Sequence, residues 1–216
     1  VRPEGQAFPD VEGSSLVGGY AGGGEVWPES RDAGRYVTVL SGDLVGDDVE
    51  GFGNREDNCV TVVLGAEGAS IDGFVIRGGD YRGGGWRLAA GGMASEHDCV
   101  ISNCTFDGNA GYLGGGLLIR DCEAEVRGCR FVGNRAMLRG GGVCCLNATV
   151  EIADCVIENN AASRAGDLPD GGDGGGVYCD GSTELRMEGC RVTGNSAGAG
   201  RDTFDVMCHD GGRGGN

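Results

Sequence analysis

The chain contains no lysine: its 17 basic residues are all arginine, they face 33 acidic ones, and histidine occurs twice. The formal charge of −16 argues against nucleic acid or an anionic membrane surface as partner, because phosphate binding needs clustered cations. Cations, or surfaces that bear them, are the complementary class. No run of 18 apolar residues occurs, which leaves no transmembrane helix and no membrane insertion by this segment. The first residue is Val1 and no signal peptide can be read, so the segment reads as a piece of something longer. No Cys-x-x-Cys pair occurs among the 11 cysteines, and His97 and His209 are the only imidazoles, a poor ligand set for zinc. The 47 glycines follow no Gly-X-Y period, which excludes collagen. No segment carries the period of a helix.

What is present is a block that recurs four times. It closes with Cys104-Thr-Phe106-Asp-Gly-Asn109, Cys129-Arg-Phe131-Val-Gly-Asn134, Cys155-Val-Ile157-Glu-Asn-Asn160 and Cys190-Arg-Val192-Thr-Gly-Asn195. The cysteines are spaced by 25, 26 and 35 residues, and the stretch from Ser163 to Asp173 supplies the longer interval. Insertions therefore fall between copies. A block that cannot bury its apolar face alone must stack on its neighbours, so the chain reads as a solenoid. Within one copy, Val143 and Cys145 alternate with Cys144, Val150 and Ile152 with Glu151, and Cys155 and Ile157 with Val156. That is three short strands with one buried face each, separated by turns.

Stacking converts each repeat position into a column. Cys104, Cys129, Cys155 and Cys190 form one such column, and Cys145 and Cys179 another. Free cysteine suits a buried column as a small hydrophobe. Disulfides between coils are the alternative, but coils ~4.8 Å apart leave parallel Cβ atoms poorly aimed. Asn109, Asn134, Asn160 and Asn195 fall at a corner, where asparagine tolerates left-handed backbone and stacked amides can hydrogen-bond up the column. The expectation is a structural ladder, not a ligand site. The glycine triples at 114–116, 140–142 and 174–176 lack the Lys-Ser/Thr sequel of a phosphate loop and are expected to make tight corners.

Upstream the pattern weakens. Ile71-Asp-Gly-Phe74-Val-Ile76 repeats it with Phe74 in the cysteine position, and Leu16 to Gly22 and Tyr36 to Asp43 suggest one or two more coils. The reading is one domain over 1–216: irregular coils and an acidic loop over 1–58, regular coils over 59–197, and an incomplete terminal coil over 198–216.

Gly115-Gly116-Leu117 followed by Phe131-Val-Gly-Asn134 resembles the repeats of the chlamydial polymorphic outer membrane proteins, over roughly residues 91–197. The N-terminal part, through Gly18-Gly-Tyr-Ala-Gly22, Leu40-Ser-Gly-Asp-Leu44 and Ile71-Asp-Gly-Phe74, is similar to a wider set of secreted bacterial β-helix proteins. The resemblance implies an all-β, right-handed parallel β-helix of about seven coils, located outside the cell or on its surface.

Two functions are consistent with such a fold. One is a structural or adhesin-like module without catalysis, whose loops present a surface to an extracellular protein or glycan. The other is a carbohydrate-active enzyme of the polysaccharide lyase kind, or a glycan-binding module. A lyase needs an arginine or lysine base beside carboxylates, and a hydrolase needs paired carboxylates across the scissile bond. The Gly-His-Gly and Arg-x-Lys elements of polygalacturonases are missing. Arg127, Arg130, Arg186 and Arg191 take outward positions in successive copies, interleaved with Glu125, Glu151, Glu184 and Glu188. A salt-bridged solvated face is expected of them. Asp43, Asp47, Asp48, Glu50, Glu56 and Asp57 crowd one loop around a single cation, Arg55, and Asp167, Asp170 and Asp173 occupy another. Oxygen-rich loops are what calcium requires. Asp43, Asp47 and Asp48 are the candidate ligands, and a solvated loop is the competing reading. No other cofactor is expected.

Overall fold

The computed structural model describes residues 8–9, 13–21, 31–81, 90–163, 172–198 and 206–208. Its strands stack in parallel into four sheets. The first contains Phe8–Pro9, Val63–Leu64, Met93–Ser95, Leu117–Arg120, Val143–Leu146, Val177–Cys179 and Val206–Cys208. The second contains Ser15–Val17, Ala69–Asp72, Cys99–Ser102, Glu123–Arg127, Thr149–Ala153 and Glu184–Glu188. The third contains Thr38–Ser41, Phe74–Arg77, Thr105–Asp107, Arg130–Val132, Val156–Glu158 and Arg191–Thr193. To these three the central coils add a fourth, of Ala110–Leu113, Arg135–Arg139, Ala161–Ala162 and Ser196–Ala197. Seven strands in the first sheet match a solenoid of about seven coils. No helix is present among the described residues, and none is therefore long and apolar enough to cross a membrane.

The register puts like side chains over like. Leu40, Ile76, Phe106, Phe131, Ile157 and Val192 form one inward column of the third sheet. Within it Phe106 and Phe131 stack with ring centroids 4.7 Å apart. Ile71, Ile101, Val126, Ile152 and Met187 do the same in the second sheet, with Leu16 in register at its end but exposed. Phe74 precedes Val75, the partner of Thr105, and so occupies the cysteine position as its spacing implied. A fully buried side chain of this size contributes about 1.5–3 kcal/mol, and one column sums several of them.

The asparagine column is continuous. The backbone N–H of Asn109 and its Nδ2 both donate to Asn134 Oδ1 at 3.0 Å. Asn134 does the same to Asn160, at 3.0 and 2.9 Å, and Asn160 to Asn195, at 2.9 Å for both. The second Nδ2 proton of Asn109, Asn134 and Asn160 goes to the carbonyls of Ile76, Phe106 and Phe131. The left-handed residue at this corner is not the ladder asparagine but its predecessor: Gly108, Gly133, Asn159 and Gly194 have φ of 61°, 62°, 56° and 67°. That positive φ turns the chain so that the next side chain points inward, which is why the block ends Gly-Asn or Asn-Asn.

The cysteine column runs beside it. Cys104, Cys129 and Cys155 are buried, whereas Cys190, in the last coil described in full, is only partly covered. Each thiol donates to a carbonyl one coil below, Cys129 Sγ to Ile101 O at 3.6 Å and Cys155 Sγ to Val126 O at 3.6 Å among them. Hydrogen bonding to Cys104 and Cys155, with burial, pushes the Cys129 thiol well above its ordinary range. Cys179 departs from the expectation of free thiols, since it is disulfide-bonded. Nine other described cysteines are free.

One face expected to meet solvent is buried. Ala94, Leu118, Cys144 and Tyr178 form an outward column of the first sheet, yet with Leu113 they make a second apolar cluster. The Leu113 strand turns through a left-handed Gly114, φ 63°, and folds back over this face. Burial raises the Cys144 thiol to about 12.

Candidate functional site

The most irregular described segment is the acidic loop, residues 43–57. It leaves the third sheet after Ser41 and returns at Asn58, making a narrow hairpin closed by an antiparallel bridge between Val49 and Gly53. Its own carboxylates hold its shape. Asp43 Oδ1 accepts from the Gly46 and Asp47 amides at 2.6 and 3.3 Å, and Oδ2 from the Asp48 amide at 3.3 Å. Asp57 Oδ2 accepts from the Leu44 and Val45 amides at 3.1 and 2.8 Å. Short acidic side chains at chain reversals do this because they compete well for exposed amides.

The candidate calcium ligands separate. Asp43 and Asp47 come together with Asp57, one oxygen of each lying within 4.8 Å of the others. Asp48 is diverted: its carboxylate accepts from Asn58 Nδ2 at 3.2 and 3.1 Å and lies 3.5 Å from Arg55 Nε. The replacement of Asp48 by Asp57 follows from the chain reversal, which sequence adjacency cannot show. Burial pushes the Asp43 carboxyl up, but its bonds to the Gly46, Asp48 and Asp47 amides outweigh this and hold it below the usual carboxylate value. Asp47 moves the other way, raised by desolvation and then by the charges of Asp57, Asp43 and Asp48.

The loop is clamped onto the coils. Arg55 is 7% exposed, and its Nη1 donates to Gly108 O at 2.8 Å. Phe52 lies between two guanidinium groups, those of Arg55 at 4.2 Å and Arg135 at 4.0 Å from its ring centroid. Cation–π contacts of this kind are worth about 0.5–2 kcal/mol each. Phe52 holds φ at 71°, a costly conformation for a bulky residue, and such strain persists only where the surroundings enforce it. Phe52 and Arg135 were not singled out by the sequence; an aromatic next to glycine in an acidic loop was the one available signal.

Between the loop and the sheet lies a cleft of about 570 Å³. Ser41, Arg77 and Asp107, consecutive members of one outward column, form its floor. Asp43, Asp48, Glu50, Phe52 and Arg55 contribute its wall. A second, smaller groove, on the outer face of the second sheet, is lined by Asp98, Glu123, Glu125 and Glu151.

The outward arginines do not form one row. Arg127 and Arg186 belong to the second sheet, Arg130 and Arg191 to the third. Arg127 pairs with Glu125 at 3.1 Å and Glu151 at 3.5 Å, and Arg186 with Glu188 at 3.0 Å. Arg130 and Arg191 both pair with Glu158, the latter at 3.0 Å. In the other acidic loop Asp173 pairs with Arg139 at 3.3 Å, while Asp167 and Asp170 lie outside the described residues, as does His209. His97 sits 3.5 Å from Glu67 at the surface.

A family model described as a right-handed beta helix region matches residues 89–210, more than half of the chain. Together with the stacked parallel sheets, this places the chain in the right-handed β-helix family. No curated protein matches it. No solved structure matches it either.

Proposed function

We propose that this chain is a non-catalytic β-helix module, displayed outside the cell or on its surface, that presents the 43–57 loop for recognition. The observation that carries this reading is the pairing of the outward arginines: Arg127, Arg130, Arg186 and Arg191 each hold at least one glutamate. A lyase base must be free to reach substrate, and a guanidinium held in an ion pair is not. Extracellular placement rests on the resemblance of the repeats to secreted β-helix proteins, and buried thiols survive an oxidising exterior because oxidants do not reach them.

A second reading, a carbohydrate-active lyase, draws on one feature. Arg77 shares its cleft with Asp43, Glu50 and Asp107, a cation among carboxylates. Incubation with polyuronates and calcium across pH 5 to 10 separates the two readings. The module gives no rise in ultraviolet absorbance from unsaturated product, and a rise that disappears in Arg77→Ala establishes the lyase.

A further inference from the structure

On the outer face of the third sheet, opposite charges pair where the coils are regular: Glu158 holds both Arg130 and Arg191. Beneath the loop they do not. Arg77 and Asp107 are register neighbours on strands ~4.8 Å apart, yet neither side chain has a hydrogen bond or ion pair among the described residues. Glu50, in the same cleft, has none either. Behind them Arg55, almost wholly buried, lines the cleft with an Nε that has no hydrogen-bond acceptor, Asp48 Oδ2 lying 3.5 Å away.

The cleft thus offers two kinds of unused group: carboxylates at Glu50 and Asp107, and the guanidinium donors of Arg77. Val49, which lines it, is 53% exposed, Leu44 and Val45 of the same loop are 57 and 73% exposed, and exposed apolar side chains with a polar surround mark docking surfaces. We propose that the cleft binds an extended basic peptide segment. A cationic side chain of that segment lies between Glu50 and Asp107, its backbone carbonyls face Arg77, and its apolar side chains rest on Val49 and the loop. A saccharide would meet the donors but leave the carboxylates without a cation. The clamp on Phe52 fixes the wall before binding, which lowers the ordering cost. This inference rests on the non-catalytic reading, since the bound peptide is left unchanged.

The test is fluorescence anisotropy of the whole chain with a fluorescein-labelled peptide of alternating leucine and lysine, against a leucine–glutamate peptide and a galacturonate oligomer. The leucine–lysine peptide is expected to bind, more weakly as salt rises. Glu50→Gln and Asp107→Asn each weaken it about three- to fivefold, and Arg77→Gln weakens it too. Glu151→Gln, in the acidic groove of the second sheet, leaves it unchanged. Equal affinity in the Glu50→Gln/Asp107→Asn double variant, or an equal loss in Glu151→Gln, overturns the site and reduces the effect to attraction by a negatively charged chain. Binding of the galacturonate oligomer that Arg77→Gln abolishes, with no binding of the leucine–lysine peptide, also overturns it. Mass spectrometry of the recovered peptide separates the two claims: intact peptide supports both, whereas cleaved peptide refutes the non-catalytic reading and leaves the occupant of the cleft standing.

Discussion

The regular coils and the 43–57 loop solve the same problem, the satisfaction of polar groups, by opposite means. In the regular coils the ladder groups have counterparts one repeat away: Asn134 accepts from Asn109 and donates to Asn160, and Glu158 serves an arginine above and another below. In the loop no repeat stands above or below, so Asp43 and Asp57 turn back on the loop's own amides. Arg77, Asp107 and Glu50 are left without side-chain partners among the described residues. Translation supplies partners automatically; a departure from translation leaves groups over. Those leftover groups are where a repeat protein has something to offer another molecule.

The largest effect that sharpens this contrast is expected in the coils. Asn134→Ala removes acceptors from the backbone and Nδ2 of Asn109 and a donor from Phe106 O, all buried. Unsatisfied buried groups cost about 1–3 kcal/mol each, so a loss of about 3–5 kcal/mol in a urea melt is expected. A loss below about 1 kcal/mol, the size of an ordinary surface substitution, breaks the claim that the column joins the coils.

Calcium probes the loop. Asp43, Asp47 and Asp57 converge with no cation among them, and a divalent ion relieves their repulsion. At tenfold over a millimolar Kd, binding to the folded state adds about 1.4 kcal/mol, or about 3–6 °C in melting temperature for a chain of this size. Asp57→Asn is expected to abolish the shift and Asp48→Asn to leave it, because Asp48 is held by Asn58 and Arg55. A shift lost equally in both variants contradicts the convergence.

The smallest effect is in pH dependence, and its sign differs between two neighbours. Asp43 has a depressed carboxyl in the fold, so its contribution is present above the unfolded value of about 3.9 and lost as pH falls through the lower folded one. Asp47 is raised, so the folded state binds its proton more tightly, and that contribution fades as pH rises through the folded value. Asp43→Ala is therefore expected to lower the melting temperature at pH 7 and lose that effect in acid, whereas Asp47→Asn is expected to raise it slightly at pH 7. Equal responses would show that the amides of Gly46 and Asp48 do not hold Asp43.

Much of the coil body was legible in the residues. The cysteine and asparagine columns, and Phe74 in the cysteine position, follow from spacing, because a solenoid maps sequence period directly onto height. Less legible was which faces are covered. Cys144 alternates with Val143 and Cys145 as an outward residue should, yet it is buried under Leu113, since a chain that folds back at Gly114 covers a face that periodicity assigns to solvent. The four outward arginines make the salt-bridged face that their interleaving with glutamates implied, but the split between two sheets was not legible, because each copy presents them from different strands.

What the amino-acid sequence by itself determined is therefore the repeating part: parallel strands, stacked columns and about seven coils, together with a strongly negative overall charge. Those depend on interactions between residues one period apart, which the sequence displays as a period. The tertiary structure alone decided that Asp57 and not Asp48 joins Asp43 and Asp47, that Phe52 wedges between Arg55 and Arg135, and that Arg77 and Asp107 share a cleft, unpaired among the described residues. Each of these depends on a chain reversal that brings residues together at no fixed separation, and no periodic reading can recover a contact that has no period.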